Sequence, residues 1–202
     1  MIERLEEVAK RPVSRETFER LGAYVALLKD ENDRQNLVSA ATLENVWERH
    51  IFDSAQLVRF EPRAGASWID IGSGAGLPGI VIACLVEGPV TLVEPRRLRV
   101  DFLHKAAESL DLGAQIICAK AERVSGSYDV ITARAVANLS DLLKLSAHLS
   151  TRNTVWALPR GRNGPAELAD AKHAWQGAFH VERSVTDADS WIVVGTGIKA
   201  KG

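Results

Sequence analysis

From Ser67 onward the chain alternates short apolar runs with helical stretches, and that alternation admits few folds. Trp68-Ile-Asp-Ile, Val90-Thr-Leu-Val, Gln115-Ile-Ile-Cys-Ala, Asp129-Val-Ile-Thr-Ala and Thr154-Val-Trp-Ala-Leu read as five strands, with helices over 78–85, 96–110 and 138–149. Strands joined through helices run parallel and are covered on both faces. A polar helix over about 165–175 follows. The last two apolar runs, 180–185 and 191–195, have no long helix between them, which predicts a hairpin. The expected architecture is a doubly wound α/β fold: a mostly parallel seven-stranded sheet with an antiparallel end.

The first sixty residues have a different period. Phe18, Leu21, Val25 and Leu28 recur at helical spacing after an N-cap at Ser14. Leu43, Val46, Trp47, His50, Ile51, Ser54, Leu57 and Val58 form one stripe of a second helix, and polar 30–39 reads as a loop between them. The chain is therefore expected to form one domain over 1–202, with a helical extension over 1–62 and an α/β core over 63–202. A length of 202 residues suits one sizeable core. The longest apolar run, 80–86, is too short to cross a bilayer. An acidic start, Met-Ile-Glu-Arg-Leu-Glu-Glu, is no secretory signal, so a cytoplasmic protein away from membranes is expected. Cys84 and Cys118 each lie in an apolar run without CxxC spacing, which reads as two core thiols and neither a disulfide nor a metal site.

The chemistry begins at Asp70-Ile-Gly72-Ser-Gly74-Ala-Gly76-Leu77-Pro-Gly79, where the first strand gives way to a helix. Open α/β sheets bind ligands there, and glycines let a ligand approach the main chain. A dinucleotide fingerprint needs glycine at its first, third and sixth positions, and the sixth here is Leu77. A purely structural turn is the competing reading. Glu94 closes the second strand, placed to accept hydrogen bonds from ribose hydroxyls, and Ala121-Glu122 follows the third on the same sheet edge. Three strand ends in series describe a site for an adenosine without a phosphate side. That suits S-adenosylmethionine better than a nicotinamide dinucleotide, and it places Gly72, Gly74, Gly76 and Glu94 at the cofactor.

The motifs around this loop resemble those of the ribosomal RNA small-subunit methyltransferase G family, also called glucose-inhibited division protein B. Asn36-Leu37-Val38-Ser39 is similar to its NLT/NLV motif, Arg49-His50-Ile-Phe-Asp53-Ser54 to its RHxxDS motif and Arg97-Leu-Arg-Val-Asp-Phe-Leu103 to its KRxxFL helix start. Ala121-Glu122 and Thr132-Ala-Arg134-Ala135 match its later motifs. The resemblance implies a Rossmann-like class I S-adenosylmethionine-dependent methyltransferase fold. It also implies cofactor contacts from Gly72, Leu77, Ala121, Glu122 and Arg134, and methyl transfer to N7 of one guanine in 16S rRNA near the decoding centre. Asn36, His50 and Arg160 are the residues to test against RNA or the substrate base. Two positions depart from the family pattern. Leu158-Pro-Arg160-Gly161 stands where many members have Lys-Gly, and Glu94-Pro95 where many have Asp-Ser.

Guanine N7 carries a lone pair, and a sulfonium methyl is already activated, so the reaction asks for alignment rather than an acid–base pair or a metal. No catalytic residue is assigned on that ground. A small-molecule methyltransferase, another RNA substrate and a non-catalytic cofactor-binding regulator are the alternatives. His50 reads either as a packed histidine or as a substrate contact, and Arg134 as a sheet-edge salt bridge or a cofactor wall. Arg96, Arg97 and Arg99 are a solvated face or phosphate contacts. Trp47, Phe52 and Trp156 are core aromatics or stacking platforms. The formal net charge of -1 sits poorly with tight binding of bare RNA. The expected partner is 16S rRNA in a ribonucleoprotein particle, bound by a monomer.

Overall fold

The computed structural model describes residues 1–202. Strands β1 (Trp68–Ile71), β2 (Val90–Val93), β3 (Gln115–Ile117), β4 (Val130–Thr132), β5 (Val155–Gly161), β6 (Trp175–Arg183) and β7 (Trp191–Ala200) form one sheet in the order β3-β2-β1-β4-β5-β7-β6. The first five run parallel, while β7 is antiparallel to both β5 and β6. This is the sheet expected from the sequence. Its order turns back at β1: the chain steps outward to β2 and β3, then returns to β4 on the other side. In open α/β sheets such a reversal point is where ligands bind. The terminal hairpin is longer than its apolar runs suggest. Gln176 pairs with Lys199 and Ala178 with Thr196, so backbone pairing extends these strands through polar residues.

Alternation along the strands sorts two cores. Trp68, Leu92, Val130 and Ala157 face one side, under α5 (Gly79–Leu85) and α6 (Arg97–Ser109). Ile69, Ile131, Trp156 and Leu158 face the other, under α7 (Leu139–Ser146) and α8 (Gly164–Ala174). Every residue of β1 and β2 is buried, as expected for central strands covered twice.

The first core also receives the N-terminal helices. A short α1 (Ile2–Ala9), not singled out by the sequence pattern, buries Leu5, Val8 and Ala9. Then α2 (Arg15–Gln35) starts where expected, with Ser14 Oγ accepting the Thr17 amide. Two expectations are corrected here. Residues 30–35 are helical rather than loop, because their polar side chains pair along the helix: Arg34 with Glu31 at 3.3 Å and Gln35 with Glu31 at 2.8 Å. The single helix after Thr42 is instead α3 (Ala40–Leu43), one wide π-type turn (Trp47–Phe52), α4 (Asp53–Ala55) and a 3-10 turn (Gln56–Phe60). His50, Ile51, Ser54, Leu57 and Val58 of the stripe are still buried. Periodicity reports which side faces the core, whereas the hydrogen-bond pitch varies locally. The core-thiol reading holds for buried Cys84 only, since Cys118 follows the edge strand β3 and is exposed. No helix is long and apolar enough to cross a membrane.

One bond couples the N-terminal helices to the glycine loop. The Tyr24 hydroxyl, fully buried on α2, donates to the Ala75 carbonyl at 2.8 Å. Tyr24→Phe withdraws that donor from a buried carbonyl and should cost about 1–3 kcal/mol. Urea unfolding should show it as a lower midpoint at unchanged slope.

Candidate active site

Gly72, Gly74 and Gly76 all have left-handed backbones, with φ of 68°, 56° and 90°. The amides of Gly72 and Ser73 donate to the Val93 carbonyl at 2.8 and 3.0 Å, which ties the loop to the end of β2. Glu94 completes the tie. It is buried, with Oε2 accepting the Gly74 amide and Oε1 the Arg96 amide, each at 2.9 Å. The residue read from sequence as a ribose acceptor is thus also the brace of the loop. Ala121 is buried and Glu122 exposed in the turn after β3. Around Gly74 there is room: a Cβ there would meet the Arg99 Nη1 at 3.5 Å and the Gly72 carbonyl at 3.8 Å, both ordinary contacts. Gly72 is covered by Val136, whose Cγ2 would lie 2.6 Å from such an atom.

Asp70 lies beneath the loop, buried, with Oδ2 accepting the Gly79 amide at 3.1 Å and Oδ1 without a partner. Burial pushes its carboxyl up to about 7, against the pull of its hydrogen bonds and of Arg134.

Arg134, two residues past β4, gathers the second half of the site. Its Nη1 reaches Asp53 Oδ2 at 3.2 Å and its Nη2 reaches His50 Nδ1 at 3.2 Å. A guanidinium only donates, so Nδ1 of His50 accepts and the ring proton sits on Nε2. That Nε2 donates to Thr42 Oγ1 at 3.0 Å, and Thr42 Oγ1 donates to the Ser39 carbonyl at 2.9 Å. Asp53 Oδ1 accepts from Gln56 Nε2 at 2.9 Å and Thr186 Oγ1 at 3.1 Å. One cation thereby joins the end of β4, the wide turn and the β6–β7 loop. Burial, then Arg134 and Arg49, lower the His50 imidazole to about 4. Both readings of Arg134 as salt bridge and of His50 as packed side chain describe these contacts.

Beyond Arg134 lies a cavity of about 500 Å³ at the tips of β4 and β5. Three of the motifs that carry the resemblance meet on it. Val38 and Ser39, then Arg49, His50 and Asp53, then Arg134 and Ala135 line it, and Arg160 closes the β5 side. None of Gly72 to Leu77, Glu94, Ala121 or Glu122 does. Asn36 stays outside as the left-handed C-cap of α2, its side chain exposed. Arg160 is nearly buried, and both Nε and Nη2 hold Glu167 Oε2, at 3.0 and 2.5 Å.

The stacking candidates resolve as packing. Trp156 and Phe52 are buried, and Trp47 stacks on Phe18 at 5.2 Å. Arg97 pairs with Asp101 in solvent at 3.0 Å. The sequence reading missed Glu167 and Trp191, which both line the cavity. Glu167 sits one turn into a helix of low amphipathicity, and nothing local marks it. Trp191 opens a strand, where a core reading is the default.

A family model described as rRNA small subunit methyltransferase G matches residues 17–190. The Ribosomal RNA small subunit methyltransferase G of Zymomonas mobilis subsp. mobilis is 45% identical over 198 residues, covering 94% of this chain and 90% of that protein. Its counterpart in Sphingopyxis alaskensis is 48% identical over 187 residues, covering 91% and 80%. Among solved structures, ribosomal protein L11 methylase from Lactobacillus delbrueckii subsp. bulgaricus superposes with a TM-score of 0.59 at 16% identity, covering 76% of this chain and 79% of that one. M. jannaschii TYW2 in complex with AdoMet gives 0.57 at 13%, covering 81% and 78%. At such identities these two establish the fold alone, a Rossmann-like methyltransferase sheet.

Two titrations check this electrostatic description. A buried carboxyl raised to about 7 makes the folded protein bind the extra proton, so stability falls as pH rises from about 4 to 7. Compared with Asp70→Asn, the wild type should lose a few kcal/mol of unfolding free energy over that window, at about 1.4 kcal/mol per pH unit, and nothing further above it. His50 has the opposite sign, contributing stability that disappears as pH drops from about 6.5 to 4. Nitrogen NMR should show it neutral, with the proton on Nε2, down to about pH 5. A midpoint near 6.5 would contradict the Arg134 contact.

Proposed function

Given that the chain belongs to the rRNA small subunit methyltransferase G family, we propose that it transfers a methyl group from S-adenosylmethionine to N7 of one guanine in 16S rRNA. The observation that carries this reading is the meeting of the RHxxDS and TARA motifs on one cavity, whose lining residue Ala135 precedes the Val136 that covers Gly72 of the loop. One half of the site suits a nucleoside cofactor, and the other is roomy enough for a base turned out of its stack.

The residues present fit S-adenosylmethionine. The loop has room at Gly74, and each Glu94 oxygen accepts one amide and keeps a lone pair for a sugar hydroxyl. Gly72, Gly74, Gly76 and Leu77 would hold the methionine end, Glu94 the ribose, and Ala121 and Glu122 the adenine edge, with Arg134 walling the pocket. When bound, the cofactor supplies an electrophilic methyl on sulfur. The chain's own task is then to seat the base, keep water out and point N7 along the sulfur–methyl axis. No side chain has to move a proton, because N7 carries none.

The cations of the cavity are engaged: Arg49 with Asp187 at 3.0 Å, Arg134 with Asp53 and Arg160 with Glu167. With a net charge of -1, this leaves little for gripping bare RNA. The reading is therefore of a protein acting in the cytoplasm on rRNA already assembled with ribosomal proteins. Mapping modified nucleosides in 16S rRNA from cells with and without the gene tests it. One 7-methylguanosine should vanish without the gene, and an unchanged map would discard the assignment. In vitro, assembled small subunits should be methylated at least tenfold faster than naked rRNA across a salt series.

A further inference from the structure

Hydrogen-bond accounting at the β5 wall of the cavity leaves two polar groups unspent. Glu167 stands in the first turn of α8, and its Oε2 takes three donors: Arg160 Nε at 3.0 Å, Arg160 Nη2 at 2.5 Å and the Leu139 amide at 2.9 Å. Its other oxygen, Oε1, takes none, although the side chain lines the cavity and is 23% exposed. Arg160 is held in turn. Its Nη2 also donates to the Ala137 carbonyl, its side chain is only 5% exposed, and its Nη1 is buried with no acceptor. Neither group can turn away. The brace fixes the carboxylate with one free acceptor beside the space, while Nη1 is closed off from it.

A fixed carboxylate oxygen has the polarity of a guanine reader. The Watson–Crick edge of guanine offers N–H donors at N1 and N2 beside the acceptor O6. Adenine reverses this, with a lone pair at N1 beside an amino group. We propose that Glu167 Oε1 accepts from that donor edge and sets the base specificity of the transfer, with Arg160 as the residue that positions it. This rests on the reading of the cavity as the seat of the target guanine. It also fixes the orientation of the base. N7 lies across the purine from N1, so a base read from the α8 side presents N7 away from Glu167, toward Arg134 and the cofactor loop. An acceptor left facing a lone pair in a desolvated pocket is rejected more strongly than a missing contact would suggest.

Glu167→Gln is the informative change. Arg160 and Leu139 need an acceptor, so they hold the amide oxygen, and the amide N–H2 turns into the cavity where an acceptor stood. S-adenosylmethionine affinity should stay within about twofold of wild type, and the thermal melt should remain cooperative. The kcat/KM on reconstituted small subunits should fall roughly 10- to 100-fold. The preference for guanine over 2-aminopurine at the target should fall with it, because 2-aminopurine keeps N7 but has a lone pair at N1. A merely structural role would slow both substrates alike and leave their ratio unchanged, which overturns the proposal, as does a wild-type rate in the variant. A second arm needs no variant. The wild-type enzyme should methylate inosine at the target, which keeps N1–H and O6, within about tenfold of guanine, and 2-aminopurine at least 100-fold more slowly. Equal rates on guanine and 2-aminopurine overturn the proposal while leaving N7 methylation standing. Failure on guanine itself removes the underlying reading instead.

Discussion

The contacts of Arg134 with Asp53 and His50 hold the site together. Strand order reverses at β1, the point of an open α/β sheet where ligands bind. A cation at the end of β4, partly shielded from water, needs a countercharge from outside the sheet, and Asp53 on the N-terminal helices provides it at 3.2 Å. The wide turn at Trp47–Phe52 presents His50 and Asp53 to the same guanidinium. From there the connections run outward: Thr42 to the segment after α2, Thr186 to the terminal hairpin. The helical preface is therefore part of the active-site wall as well as a cover for the sheet.

This arrangement divides the site in two. On the proposed reading, the glycine loop, Glu94 and the turn after β3 are the part that holds the adenosine. They are braced internally, with Glu94 joining the Gly74 amide of the loop to the Arg96 amide after β2. The cavity beyond Arg134 is assembled from residues that are remote in sequence, from Val38 to Ile192. A fold carries many reactions, and the second half of the site is where this one is specified.

Much of this was legible in the sequence because it is local. Strand runs, the N-cap at Ser14, the glycine loop and Glu94 each follow from spacing within a few residues. What escaped depended on partners distant in the chain. The last turns of α2 read as loop because they are polar, yet they are stabilised by pairs three and four residues apart. The wide turn kept the apolar stripe of a regular helix while changing its pitch. Cys118 looks like a core residue until the edge position of β3 is known. Glu167 is invisible locally: its meaning comes from Arg160 seven residues earlier and the Leu139 amide on another helix. The Arg160 position, flagged as a departure from the family's lysine, proved to be a buried brace, a role suited to a planar fork of donors.

The central claim is that Arg134 separates two compartments, a cofactor cleft on the glycine-loop side and a base pocket on the β5 side. A crystal structure with S-adenosylhomocysteine tests this most directly. The account requires the nucleoside against Gly74 and Glu94, with the homocysteine sulfur near Arg134 and the cavity at Arg160 left free. A nucleoside seated in that cavity, between His50 and Glu167, would contradict it.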